Sequence, residues 1–442
     1  MNFKSNLIFA LLALFPWQGM AAQETNHEIV PDAAHRLSIE QVVSQVLSNN
    51  PSLKAAHARW EAMQERIPQA RAWQDPRVGV DATAGRFVSV PPNSFTDYKY
   101  AAEQTLPLAG INRLQTKIAE TDVASALADS TRKELDLIAR AKTAFYRLAN
   151  AYKQLALNRK NAALLKQYAE ITRNKYEVGN RPQSDVLNAE TELGKLEENK
   201  FDFERQISEA ETELNVLMNR PAHSPLPQPA NITFASTDWS PQTLNELALK
   251  HRPELLIAAK KIEAAQAQVE IAKRGWIPEP SLRVEASQYN EASQAISEVV
   301  VGFSFNLPWF NHKKYSAAIR EKQKLLESSE QELDSLRTET LGRLRDQLKR
   351  IETFHHHTEL FHTKIIPLAE QTVTATRLSY ETDKASFLNL IEAQRTLEDS
   401  ESMYWTHLYD YLSARAELEA LIGVDPSLST GNTNAYPTDY HE

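Results

Sequence analysis

Cysteine is absent from all 442 residues. Disulfides, thiolate metal sites, cysteine nucleophiles and a lipid anchor carried on an N-terminal cysteine are therefore excluded. Glycine is scarce, at 11 residues, while Ala, Leu, Glu, Gln, Lys and Arg are plentiful, a balance that favours long helices. A basic excess is missing as well. The formal net charge of −9 argues against general nucleic-acid binding, which needs a basic face. Catalytic signatures are lacking too: the chain has no Walker A loop, HExxH or GxSxG, and its carboxylates spread along helix faces as solvated groups and i,i+4 partners. The expectation is a protein that is not an enzyme and carries no cofactor.

Long apolar runs are the most informative absence. Residues 1–22 read as a secretory signal, with Lys4 as the basic n-region, Leu7–Phe15 as the apolar stretch and Gly19-Met20-Ala21-Ala22 as the cleavage end. That stretch is too short to span a bilayer, and nothing after Ala22 approaches the roughly 20 apolar residues a transmembrane helix needs. An exported chain of this kind can cross a membrane only with β-strands.

What is present is a sequence written twice. A shift of 202 lays Pro51, Leu53, Ala56, Glu61, Gln64, Ala70 and Pro76 on Pro253, Leu255, Ala258, Glu263, Gln266, Ala272 and Pro278. A shift of 204 lays Tyr176, Ala189, Leu193, Ala210, Leu214 and Leu217 on Tyr380, Ala393, Leu397, Ala414, Leu418 and Leu421. The pattern predicts one copy over 23–236 and another over 237–423, followed by a polar tail over 424–442. Each copy reads helix, two strands, long helix, turn, helix. Helices are expected at 41–75, 112–178 and 182–219, then at 241–275, 312–381 and 384–421. Pro68 should kink the first of these. In the last helix of each copy, apolar residues recur at steps of three and four, as in Val186, Ala189, Leu193 and Leu196, which is coiled-coil packing. Residues 112–178 would be roughly 100 Å long, and 51–75 plus 182–219 roughly 95 Å. The two shorter helices can then stack end to end beside the long one, as a rod.

Strands are expected at 77–87, 97–107, 280–288 and 297–307. Val78, Val80 and Ala82 alternate with Gly79, Asp81 and Thr83, and Val299, Val301, Phe303 and Phe305 alternate with Val300, Gly302 and Ser304. An uncharged face opposite one bearing Asp81, Lys99, Glu103, Arg283 and Glu285 is the transmembrane-barrel pattern, although a half-buried soluble sheet alternates in the same way. Four strands cannot close a barrel, which needs about eight. Open edges in lipid are forbidden, so a membrane reading requires an oligomer. The polar hairpin tips, Phe87–Thr96 and Tyr289–Ala295, would face outward.

The ordered, duplicated motifs resemble the TolC-type outer membrane efflux proteins, with a leaning toward the heavy-metal resistance branch. They include Asn49-Asn50-Pro51-Ser52-Leu53 and Arg252-Pro253-Glu254-Leu255, which open the copies, and Leu106-Pro107-Leu108 and Leu307-Pro308-Trp309 at the strand-to-helix junctions. Val178-Gly179-Asn180, Ser184-Asp185-Val186-Leu187 and Leu390-Ile391-Glu392-Ala393-Gln394 mark the far turns. The resemblance implies a mainly α homotrimer whose twelve-stranded β-barrel in the outer membrane continues into a twelve-helix periplasmic tunnel. Such a duct passively conducts substrate, here metal cations or small toxic compounds, from an inner-membrane transporter (proton-driven) through a periplasmic adaptor. It also implies adaptor docking at Gly179, Asn180, Arg181, Ser184, Asp383, Lys384 and Ser386, and aperture gating at Asp185, Asn389 and Glu392. Ala385 stands where some relatives carry a locking arginine, which leaves the gate lock open.

Asp185 and Glu392 read equally as an acidic ring that concentrates cations or as groups that cap and solvate helix ends. His355-His356-His357 with His362 reads as a solvated helix surface, because consecutive helical residues point about 100° apart and cannot converge on one metal. The rival to a duct is a periplasmic coiled-coil scaffold or adaptor without its own channel.

Overall fold

A computed structural model describes residues 36–83, 96–232, 239–289, 295–382 and 384–424. The expected signal segment, most of both hairpin tips, Asp383 and the tail beyond Val424 lie outside these residues.

The chain opens with helices α1 (Ile39–Asn49), α2 (Pro51–Gln64) and α3 (Arg66–Arg71), where a single helix over 41–75 was expected. Both breaks follow from proline. Pro51 holds Asn50 in extended backbone, and the Asn50 side chain bridges the gap. Its Oδ1 accepts from Ser52 N at 2.9 Å, and its Nδ2 donates to Leu217 O at 2.9 Å. Pro68 lacks the N–H that Gln64 O would accept, and the helix breaks at Glu65. Further along, α6 (Pro241–His251) and α7 (Pro253–Arg274) replace one expected helix in the same manner. Arg252, ahead of Pro253, shares the φ of −63° and ψ of 120° seen at Asn50. Arg252 is buried and donates from Nη1 to Thr340 Oγ1 at 2.9 Å.

Helix α4 (Ile111–Glu177) has 67 residues and is about 100 Å long. Helix α5 (Gln183–Leu217) runs back along it. The end of α5 meets α1 and α2 at the middle of α4, where Leu214, Leu217 and Met218 pack with Val42, Val46, Leu53, Leu137, Phe145 and Leu148. The second half repeats this join. Leu418 and Ile422, at the end of α10 (Phe387–Ile422), pack with Leu244 and Ala248 of α6 and Leu344 of α8 (His312–Leu360).

The long helix expected over 312–381 is instead α8, a π turn (Phe361–Ile365) and α9 (Ile366–Glu381). Pro367 explains the interruption. It has no N–H for Thr363 O, and the ladder accommodates this by one wide turn in which Ile366 N bonds Phe361 O.

Gly423 closes α10 at φ +90°, and a Cβ there would lie 2.7 Å from His251 O. Gly423→Ala is expected to lower stability by at least about 1 kcal/mol through strain and the clash, read as a fall in the thermal midpoint.

Four strands, β1 (Arg77–Ala82), β2 (Thr96–Thr105), β3 (Pro280–Tyr289) and β4 (Glu298–Phe305), form one antiparallel sheet in that order. Register places like with like. Val78, Ala102, Val284 and Val301 oppose one another across the sheet, as do Val80, Tyr100, Ala286 and Val299. Among the described residues nothing covers this face: Val78 is 78% exposed, Val301 67% and Phe303 63%. The other face carries the charges. Lys99 pairs with Glu285 at 2.5 Å, Arg283 with Glu285 at 2.9 Å, and Ser281 Oγ donates to Glu103 Oε1 at 3.1 Å. β1 and β4 end the sheet as open edges. Among the described residues no helix is long and apolar enough to cross a membrane.

Candidate functional site

Two surfaces bear on function, the apolar sheet face just described and the helical tips at the opposite end of the rod. At the first tip α4 ends in a Schellman turn: Asn180 N donates to Lys175 O at 2.8 Å and Gly179 N to Tyr176 O at 2.9 Å. Gly179 has φ +79°, a conformation that a residue without Cβ adopts at no steric cost. The second tip repeats the longer bond, with Lys384 N donating to Ser379 O at 2.8 Å. Beneath both tips lies one apolar cluster of Leu165, Ala189, Leu196, Tyr380, Phe387, Leu390 and Ile391.

Tyr380 is the centre of the contact between the tips. Its hydroxyl meets Thr172 Oγ1 at 2.9 Å in a buried contact. Lys175 Nζ and the Arg181 guanidinium lie over its ring, 4.8 and 4.9 Å from the centroid, within range of a cation–π attraction. Arg181 also donates from Nη2 to Ala385 O at 3.3 Å. An arginine from the first tip thus reaches the backbone at the position where the sequence comparison left the lock open. Neither the clasp role of Tyr380 nor that of Lys175 was evident in the sequence. The only signal was the apolar spacing that pairs Tyr176 with Tyr380.

The other expected docking residues divide by role. Gly179, Asn180, Ser184 and Lys384 are exposed. Ser386 is the N-cap of α10, its Oγ accepting from Asn389 N at 3.2 Å, and Asp383 lies outside the described residues. Of the expected aperture residues, Asp185 is half-buried in the first turn of α5, and Asn389 and Glu392 are exposed near the start of α10. Acidic groups at such positions suit the helix dipole as well as a channel mouth.

Further in, Glu192 of α5 accepts from Arg395 Nε of α10 at 2.8 Å and from Lys195 at 2.9 Å. Hydrogen bonding from Arg395, then from Lys195, holds the Glu192 carboxyl below its ordinary value of 4.5. The folded state therefore binds this proton more weakly than the unfolded state. The stabilisation is complete above about pH 4.5 and is lost as the pH falls below it. Glu192→Gln is expected to remove that acid limb, measured as hydrogen exchange of the tip helices across pH 3–6.

The histidine tract is not one surface. His356 and His362 are exposed, yet His362 stacks on Tyr404 at 5.4 Å, and His357 is half-buried 4.8 Å from His407. The expectation of a wholly solvated tract fails at His355, which meets Tyr411 edge-on at 5.7 Å, and at His357, because α10 covers that side of α8.

The profile of the outer membrane efflux protein family matches residues 42–220 and 244–424. Among characterised proteins, the chain is 23% identical to the alkaline protease secretion protein AprF of Pseudomonas aeruginosa, over 86% of this chain and 82% of AprF. It is 20% identical to the cobalt-zinc-cadmium resistance protein CzcC of Cupriavidus metallidurans, over 94% of this chain and 97% of CzcC. The solved structure of the outer-membrane channel OprN superposes with a TM-score of 0.75 at 20% identity, covering 87% of this chain and 89% of OprN, and so shares its fold.

Proposed function

The chain belongs to the outer membrane efflux protein family and is an outer-membrane exit duct; we propose that three copies assemble it, as one part of a tripartite efflux system. The observation that carries this reading is the sheet, with an exposed apolar face and, among the described residues, two unpaired edges. A lipid-facing strand surface fits that face, and an edge cannot stay open in lipid. Three sheets of four strands give a twelve-stranded barrel, with the charged face of Lys99, Arg283 and Glu285 toward a watery lumen. The helices of both copies, 23–236 and 237–423, then form a twelve-helix periplasmic tunnel.

The tips are the inner end of this duct. Gly179, Asn180, Arg181, Ser184, Asp383, Lys384 and Ser386 present the docking surface for a periplasmic adaptor, behind which stands a proton-driven inner-membrane transporter. Asp185, Asn389 and Glu392, brought together by the symmetry, line the aperture, and the Arg181–Tyr380–Ala385 link holds the two tips of each copy together. The cargo is metal cations or small toxic compounds, in keeping with the resemblance to CzcC across nearly the whole chain.

Detergent extraction from outer membranes followed by single-channel recording in planar bilayers tests the reading. Discrete conductance from a detergent-soluble trimer supports it. A freely soluble, non-conducting protein overturns it in favour of a periplasmic scaffold. Photo-crosslinking from Lys384 identifies the adaptor.

A further inference from the structure

Toward the tip end of the rod, where the π turn interrupts the α8–α9 helix, two histidines face each other. His357 comes from α8, one turn before the π turn, and His407 comes from α10; their ring centroids are 4.8 Å apart. Both Nδ1 atoms are buried and neither has a hydrogen-bond partner. Phe361, the first residue of the π turn, lies 5.4 Å from His407, and Phe354 stacks on it at 6.3 Å. A buried nitrogen without a partner is unusual enough to need an explanation.

Neutral imidazole supplies one. With the proton of each ring on Nε2, the two Nδ1 atoms are lone pairs, and leaving a lone pair unbonded costs less than burying an unpaired charge. Among the described residues no group of three potential metal ligands is assembled, so a bound ion is not the better explanation. Protonation changes the balance. A proton added at Nδ1 finds no acceptor within reach, and a second one meets a like charge on the adjoining ring.

We propose that His357 and His407 form an acid-sensitive joint, whose protonation loosens α8 and the π turn from α10. The surrounding groups leave the pair as the responsive element. On α10, Asp410 is the carboxylate that acts on His407 and favours its charged form, and burial pushes the Asp410 carboxyl itself up. On α8, Arg350 acts on Asp410 and lowers it. On α4, Lys153 Nζ is turned to the Trp405 ring, 4.8 Å from its centroid, and Gln154 Nε2 donates to Ser402 O and Thr406 Oγ1; neither side chain is bonded to a histidine Nδ1. On the π turn, His362 faces Tyr404. Burial, and then the neighbouring His357, push His407 below the ordinary histidine value of 6.5. The folded state is therefore the weaker proton binder, and its advantage is complete above pH 6.5 and shrinks as the pH falls below it.

The π turn makes the joint consequential. Its wide turn already lacks a regular ladder at Pro367, so a loosened contact with α10 leaves this stretch the least restrained part of the α8–α9 helix. Acid would then free α9, which ends at the tip, from α8.

Hydrogen–deuterium exchange of the full-length protein in detergent, compared at pH 7.5 and 5.5 after correction for intrinsic chemistry, reads this directly and does not depend on conduction. Exchange across residues 355–365 and 404–411 is expected to be about tenfold faster at pH 5.5, a change within the range of local opening, with the α4–α5 tip unchanged. His407→Phe keeps a ring beside Phe354 and Phe361 and cannot titrate, so it should abolish the pH effect; His357→Phe removes the neighbouring like charge but leaves His407 buried, so it should weaken the effect without abolishing it. Equal exchange at both pH values overturns the proposal. So does a pH effect that survives in His407→Phe, which would assign it to another group.

Discussion

Replacing Phe303 by lysine should remove the protein from the outer-membrane fraction, whereas replacing its neighbour Ser304 by lysine should not. The two changes add the same charge one residue apart, but successive strand residues point to opposite sides of a sheet. Phe303 is 63% exposed on the face it shares with Val301, Val299 and Leu282. Ser304 opposes Ser281, and the two hydroxyls meet at 2.7 Å on the face that carries Glu103 and Arg283. A lysine on a lipid face costs about 2–4 kcal/mol near the bilayer midplane, and a symmetric assembly meets that cost once per copy. A lysine at 304 stays in water beside Glu103. The expected result is that Phe303→Lys yields unassembled periplasmic protein and no channels, while Ser304→Lys inserts normally and shifts ion selectivity toward anions. Equal fractionation of the two variants would mean that the sheet does not sit in lipid.

That contrast was legible in the sequence, because period-two alternation needs no knowledge of the fold. Val78, Val80, Val299, Val301 and Phe303 could be assigned to one face from spacing alone, and the register later set them side by side. Helix lengths were legible for a similar reason: rise per residue is a constant. The breaks at Asn50, Arg252 and the π turn were harder, although their cause is local. Pro51 and Pro253 sit where a proline could equally open a helix, and Pro367 lies in a run that otherwise reads as uninterrupted helix, so the consequence depended on what packs nearby. The tip clasp was not legible. Arg181 and Ala385 are far apart in the chain and meet only because two turns fold to the same level, and His357 meets His407 in the same manner. A basic residue in a polar turn and a histidine in a polar tract carry no sign of a partner in another helix.

The second large effect is expected at that clasp. Arg181→Ala removes a hydrogen bond to Ala385 O and one of the two cations over Tyr380, while leaving the Schellman turn of Gly179 and Asn180 intact. A charged hydrogen bond contributes about 1.5–3 kcal/mol, and a cation–π contact at a part-buried site about 0.5–2 kcal/mol. Solvent at the half-exposed tip reduces both, so about 1.5 kcal/mol is the expected contribution to the linked arrangement of the tips, which on the proposed reading is the closed one. Since about 1.4 kcal/mol is a factor of ten in an equilibrium, open probability in planar bilayers should rise roughly tenfold where the closed state is favoured. Tyr380→Leu keeps the apolar contact with Phe387, but it removes the ring beneath both cations and the hydroxyl at Thr172. It should open the channel to a similar or greater degree. The decisive measurement is the double variant. If Arg181 acts through Tyr380, the double variant should open scarcely more than Tyr380→Leu alone; simple addition of the two effects would mean that Arg181 works elsewhere. Glu392→Gln serves as the comparison, because on the proposed reading its carboxylate lies at the mouth and sets cation preference through the field there. It should change selectivity with little change in open probability, which separates the residues that hold the tips together from those that line the opening between them.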